Sequence, residues 1–159
     1  MAIRDIVKDS DPSLRKKSRE VTSFDAKLKK LLDDMLETMV KFDGIGLASP
    51  QVGILKRIAI IRTELDEIVE FINPVFVKSE GEQMSNEGCL SVENRRGNVR
   101  RPLSVEVAAY DRNGVKFDRT FSGMDATVCC HEFDHLNGVL FYDRMLDEDN
   151  MEEDIKEEE

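Results

Sequence analysis

Histidine and cysteine are scarce in this chain: its 159 residues include two of the first and three of the second. An odd number of cysteines, two of them adjacent at Cys129 and Cys130, is a poor basis for a disulfide framework, so reduced thiols are expected. No stretch approaches the ~20 continuous apolar residues a membrane span needs. The opening MAIRDIVKDSDPSLRKK also lacks the apolar block of a signal peptide. A cytoplasmic address with no membrane partner is therefore expected. Positive charge is not in excess either, the formal net charge being -10. That disfavours direct sequence-specific nucleic acid binding, which needs Lys and Arg gathered on one face. Internal repeats and Ser/Pro-rich linkers are absent, so a single catalytic domain over 1–146 and an acidic tail over 147–159 are expected.

What is present is the composition of an ordinary folded domain, 40% hydrophobic and 35% charged. Ser23 is placed to cap a helix beginning near Phe24, in which Leu28, Leu31, Leu32, Met35 and Met39 recur at helical spacing as a core stripe. Phe42-Asp43-Gly44 ends it, and the small residues that follow through Gln51 read as a loop. Apolar runs over 57–62 and 68–77, the second interrupted at Asn73-Pro74, predict strands. Alternation over 103–110 and 117–121 around Asp111-Arg112-Asn113-Gly114 predicts a hairpin. Helical patterning returns over 123–137, and Gly138 is suited to end it in a left-handed conformation. The order predicts an α+β domain with mainly antiparallel sheets, not a repeated βαβ.

The only two histidines fall in His131-Glu132-Phe133-Asp134-His135, an HExxH sequence within the second predicted helix. Residues four apart on a helix lie one above the other, so both imidazoles can address one ion. Glu132, one residue round from the first histidine, can reach a water at that ion without being a ligand. A catalytic tetrahedral site uses three protein ligands and keeps the fourth position for water, so one donor is missing. No later histidine exists, and the acids after Asp143 fall in the tail. Cys89, in Glu87-Gly88-Cys89-Leu90-Ser91, is the better candidate, whereas Cys129 and Cys130 do not share the histidines' face and read as small buried hydrophobes.

Together, Gly44-Ile45-Gly46-Leu47-Ala48-Ser49-Pro50-Gln51, Glu87-Gly88-Cys89-Leu90-Ser91 and His131-Glu132-Phe133-Asp134-His135 strongly resemble, in order, the three motifs of bacterial-type peptide deformylases. The resemblance runs from the N-terminal third through Asp143-Arg144-Met145. It implies antiparallel sheets packed around a central C-terminal helix carrying HExxH, with the N-terminal amphipathic helix outside. It implies a metal-dependent hydrolase that removes the formyl group from N-terminal formyl-methionine of nascent peptides and releases formate. It further implies one divalent ion, Fe2+ in the cell with Zn2+, Ni2+ or Co2+ as substitutes, held by Cys89, His131 and His135. Glu132 would be the acid/base, and the Gln51 side chain and Leu90 N–H the oxyanion donors. Gly44, Ile45, Gly46, Arg96 and Val128 would bind substrate.

Three departures from the family pattern stand out. Ser49 replaces a small alanine, Cys130 replaces a glutamine that often precedes HExxH, and Glu93 replaces a proline. In the basic run behind Glu93, Arg95 and Arg101 read as a solvated strand rim. The acidic tail occupies the place where relatives carry a helix that meets the ribosome, and glutamates suit RNA phosphates poorly, so any ribosome contact is expected to be transient. An HExxH zinc peptidase and an inert metal-binding module are the two other functions compatible with the motif.

Overall fold

The structure is a computed structural model, and it describes residues 2–146; the acidic tail expected over 147–159 lies outside the described residues. Helix α1, Ala26–Lys41, buries Leu28, Leu31, Leu32, Met35 and Met39, the stripe the spacing predicts. Its cap is Asp25 and not Ser23: the Asp25 carboxylate accepts from the N–H of Leu28 at 3.0 Å. A cap satisfies a donor two or three residues ahead, and Ser23 stands too early to reach that one.

Seven strands follow: β1 Gly46–Ala48, β2 Ile58–Arg62, β3 Ile68–Glu80, β4 Gln83–Cys89, β5 Val92–Arg101, β6 Ser104–Tyr110 and β7 Lys116–Ser122. They make an antiparallel five-stranded sheet in the order β1-β2-β3-β6-β7 and a separate β4-β5 hairpin. The Gly44 to Gln51 segment is thus no simple loop, since it contains the edge strand β1 and a 3-10 turn over Ser49–Val52. Asn73-Pro74 does not end a strand either. The chain passes through a register shift between Ile72 and Val75 with Asn73 at φ 51°, and β3 continues to Glu80. The Asn73 side chain anchors that bulge by accepting from the Val21 N–H at 2.8 Å and donating to its carbonyl at 2.9 Å.

The larger sheet is covered on both faces, which explains why β2 reads as an unbroken apolar run. Ile58 and Ile60 pack toward α1, while Ala59 and Ile61 point the other way, onto helix α2, Met124–His135. This puts α2 at the centre, with Phe133 edge-on to Phe71 of β3 at 5.0 Å between ring centres. Gly138 follows at φ 75°, as expected, and a side chain there would strike the Arg15 carbonyl oxygen at 2.3 Å. Polar β4 and β5 cover the end of α2 that carries the histidines.

Candidate metal centre and catalytic cleft

His131 and His135, one turn apart on α2, present their rings to the same point, 5.2 Å between centres. Cys89, the last residue of β4, brings its Sγ to 3.4 Å from His135 Nε2. One donor atom from each of the three lies within 4.8 Å of the others. Zinc–sulfur and zinc–nitrogen bond lengths at a tetrahedral angle separate two donors by roughly 3.6 Å, so this trio fits a small divalent ion. His131 Nδ1 sits 2.9 Å from Glu87 Oε1. A carboxylate accepts, so Nδ1 carries the proton and Nε2 is left for the ion, the usual way an outer carboxylate sets a ligand's tautomer.

Behind Glu87 stands Arg101, which the basic-run reading assigned to the solvated rim; it is in fact 4% exposed. Its Nε and Nη2 grip both Glu87 oxygens at 2.8 and 2.7 Å, and Nη1 reaches Asp134 Oδ2 at 2.8 Å. Arg144 closes the far side of Asp134 at 2.7 and 3.0 Å. Burial opposes the charge on Glu87, yet Arg101 and His131 hold its carboxyl down to about 2. Burial likewise opposes charge on Arg101, and Glu87 with Asp134 overrides it. The arrangement is a buried, paired charge cluster that orients His131 from β4 and β5. Arg101→Met leaves the buried Glu87 with His131 as its one remaining partner among the described residues, while Asp134 keeps Arg144; uncovering a buried carboxylate in this way costs about 3–5 kcal/mol. The expected result is a Tm lower by roughly 10 °C in thermal unfolding, whereas Arg95, exposed and stacked 4.3 Å over Tyr142, should tolerate the same change with little loss.

Glu132 is 5% exposed, and its Oε1 is sealed from solvent with no hydrogen-bond partner among the described residues. Burial pushes its carboxyl up to about 7. The other oxygen lies against Gly46, where even a methyl group would come within 2.5 Å of it. Gly46 is therefore the residue that lets the edge strand approach the acid. Gln51, 2% exposed in the 3-10 turn, accepts from the Ala48 N–H at 2.9 Å. That contact turns its NH2 toward the site, 3.1 Å from Ser91 Oγ and 3.5 Å from Cys89 Sγ. Leu90 sits in the two-residue turn between β4 and β5.

A cleft of about 460 Å³ runs between β1 and β4 with α2 as its floor. Gly44, Ile45, Gly46, Gln51, Cys89, Leu90, Arg96, Val128, His131 and Glu132 all line it, while His135 closes the centre from behind at 1% exposure. Arg96 lies across Gly88 and is tied to Asn86, at 3.0 Å to Oδ1 and 3.1 Å to the carbonyl. Of the three departures, Ser49 is buried and bonds the Ile54 carbonyl at 2.6 Å, which preserves the turn. Cys130 packs in the core as a hydrophobe, its thiol pushed up to about 11 by burial. Glu93 is exposed and pairs with Lys8 at 3.3 Å. Glu87, Arg101 and Asp134 were not foreseen as a unit: no local spacing joins them, and only the fold brings 87, 101 and 134 together.

Residues 3–151 match the polypeptide deformylase family. The chain belongs to that family. It is 48% identical to the peptide deformylase of Acetivibrio thermocellus over 155 residues, covering 96% of this chain and 91% of that one. The crystal structure of the Thermotoga maritima peptide deformylase superposes with a TM-score of 0.90 at 37% identity, covering 92% of this chain and all of that one. A class I type b peptide deformylase from Acinetobacter baumannii, described as Met-Ala-Ser bound, gives 0.85 at 31% identity over 90% of this chain and 98% of that one. The family's activity is metal-dependent removal of the formyl group from N-terminal formyl-methionine, and it is the activity of this chain. Neither the zinc-peptidase nor the inert-module reading survives this, and the donor trio with Cys89 leaves no need for a ligand from the tail.

Proposed function

We propose that residues 1–146 act as one catalytic domain in which Cys89, His131 and His135 hold the ion, Glu132 moves protons, and Gln51 with the Leu90 N–H receives the charge that develops on the formyl oxygen. The observation that carries this reading is the convergence of one thiol and two imidazoles beside a sealed, unpartnered carboxylate oxygen. When bound, a divalent ion supplies Lewis acidity and brings the pKa of a coordinated water to roughly 7. Glu132 takes the proton released as the formyl carbon is attacked, and returns it to the amine as the C–N bond breaks. Its burial makes it a stronger base than an exposed carboxylate, suited to both transfers near neutral pH. The Gln51 NH2 is held in place by its Ala48 contact before substrate arrives, so its dipole needs no reorganisation.

Substrate enters along β1, the edge of the larger sheet, whose free backbone groups suit an extended peptide. Gly44, Ile45 and Gly46 then carry the main chain, and Val128 and Arg96 flank the first residue. The Met-Ala-Ser peptide of the Acinetobacter baumannii relative supports a methionine-first occupant. A formyl carbon bears hydrogen where a peptide carbonyl bears carbon, so a cramped centre admits the former alone. We further infer that the resident ion is Fe2+, since a thiolate with two imidazoles suits iron as well as zinc. The setting is the cytoplasm, where nascent chains are formylated at their start, and any ribosome contact is transient.

Wild-type protein is expected to release formate from formyl-Met-Ala and to leave casein intact; proteolysis of casein without formate would refute the proposal. Metal analysis of anaerobically purified protein tests the iron assignment. Gln51→Leu keeps the volume and removes the donor, with an expected loss of about 10²–10³-fold in kcat and unchanged metal content. Loss of metal alongside activity would make Gln51 a structural residue only.

A further inference from the structure

Two buried hydroxyls line the cleft and take no part in the chemistry above. Ser85 lies two residues before Glu87 on β4 and is 9% exposed; Thr127 lies one turn before His131 on α2 and is 5% exposed. Gln83 donates to the Gly123 carbonyl and Glu87 bonds His131, so β4 runs alongside α2, and Ser85 and Thr127, each midway between those two contacts, face the same stretch of the cleft one helical turn before His131. A threonine within a helix ordinarily turns its hydroxyl back to the carbonyl four residues earlier. Here the Gly123 carbonyl is already taken, by the Thr127 N–H at 3.1 Å and by Gln83 Nε2 at 2.8 Å. Among the described residues neither the Ser85 nor the Thr127 hydroxyl has a hydrogen-bond partner, so both are left to the cleft.

This position is where the side chain of the first residue would extend if its formyl group reacts beside Glu132, a placement that rests on the function proposed above. A purely apolar wall would serve a thioether. A wall carrying two free donors beside Val128 and Met124 serves an unbranched side chain that ends in a hydrogen-bond acceptor. We propose that Ser85 and Thr127 are specificity-determining residues that allow the enzyme to process peptides beginning with formyl-methionine sulfoxide as well as formyl-methionine. The sulfoxide oxygen accepts from one or both hydroxyls. Without them it would enter stripped of its water, at a cost on the order of 10- to 100-fold in binding.

The test compares kcat/KM for formate release from formyl-Met-Ala and formyl-Met sulfoxide-Ala, using metal-loaded full-length protein. Wild type is expected to process the two within tenfold of one another. Thr127→Val, which keeps the side-chain shape, and Ser85→Ala should each lower the sulfoxide-to-thioether ratio, and the double variant should lower it at least tenfold. Thr127→Ser, which keeps the hydroxyl, should hold the wild-type ratio. More than tenfold rejection of the sulfoxide by wild type, or a ratio that the double variant leaves unchanged, overturns the inference. Absence of formate from formyl-Met-Ala with wild type would instead overturn the assignment of the site itself.

Discussion

Glu132→Gln should lower kcat/KM for formate release by about 10²–10⁴-fold, the range expected when a general acid/base is removed, while the protein binds its ion as before. Glutamine has the shape of the carboxylate, so the close approach of Gly46 is undisturbed. Glu132 is not among the three grouped donors, and its inner oxygen bonds nothing among the described residues. The substitution therefore removes a proton carrier and little else. Formate release and elemental analysis on the same preparation decide the matter. If the ion disappears in step with activity, Glu132 is a ligand and the division of labour in the site is wrong.

Cys89→Ala should abolish activity by a different route. Losing an outer partner of a ligand already weakens metal affinity 10–100-fold, so losing a ligand should exceed ~100-fold. Two imidazoles remain, but the chelate from β4 is gone. Elemental analysis should find far less than one ion per chain, and added metal should restore little turnover. The fold should persist, because Cys89 is only half-buried and bridges to nothing covalently. Near-wild-type metal content in Cys89→Ala would remove the thiol from the centre. Taken together, the two variants separate catalysis from metal retention.

Much of this site was legible before folding because its chemistry is written in short local spacings. His131 and His135 share a face by helical periodicity alone, and Gly138 marks the helix end by its backbone freedom. The sheet strands that carry β-branched residues on both sides, such as β2, were equally plain. The β4-β5 hairpin was not, because most of its residues are polar and only Val92 and Val99 pack into a small apolar cluster, with Phe141. Arg101 illustrates the difficulty: within a run of arginines it looks solvated, and only Glu87 and Asp134, 14 and 33 residues away in sequence, draw it inside. The segment through Gly46 was read as loop for a related reason. Strand β1 is three residues long, and it exists by pairing with β2 and not by any preference of glycine or alanine.

That short strand has a bearing on solubility. Sheet margins with unpaired amides invite neighbouring molecules to stack on them, and proteins blunt such margins by length, charge or cover. Here the margin is buried along its whole length, walled by α2 and the β4-β5 hairpin. A second folded molecule cannot reach it broadside, whereas a thin, free-ended strand can slip in lengthwise. The recess proposed to receive nascent chains thereby shields one edge of the sheet from self-association and leaves that task at the opposite edge to β7, whose side chains are mostly exposed.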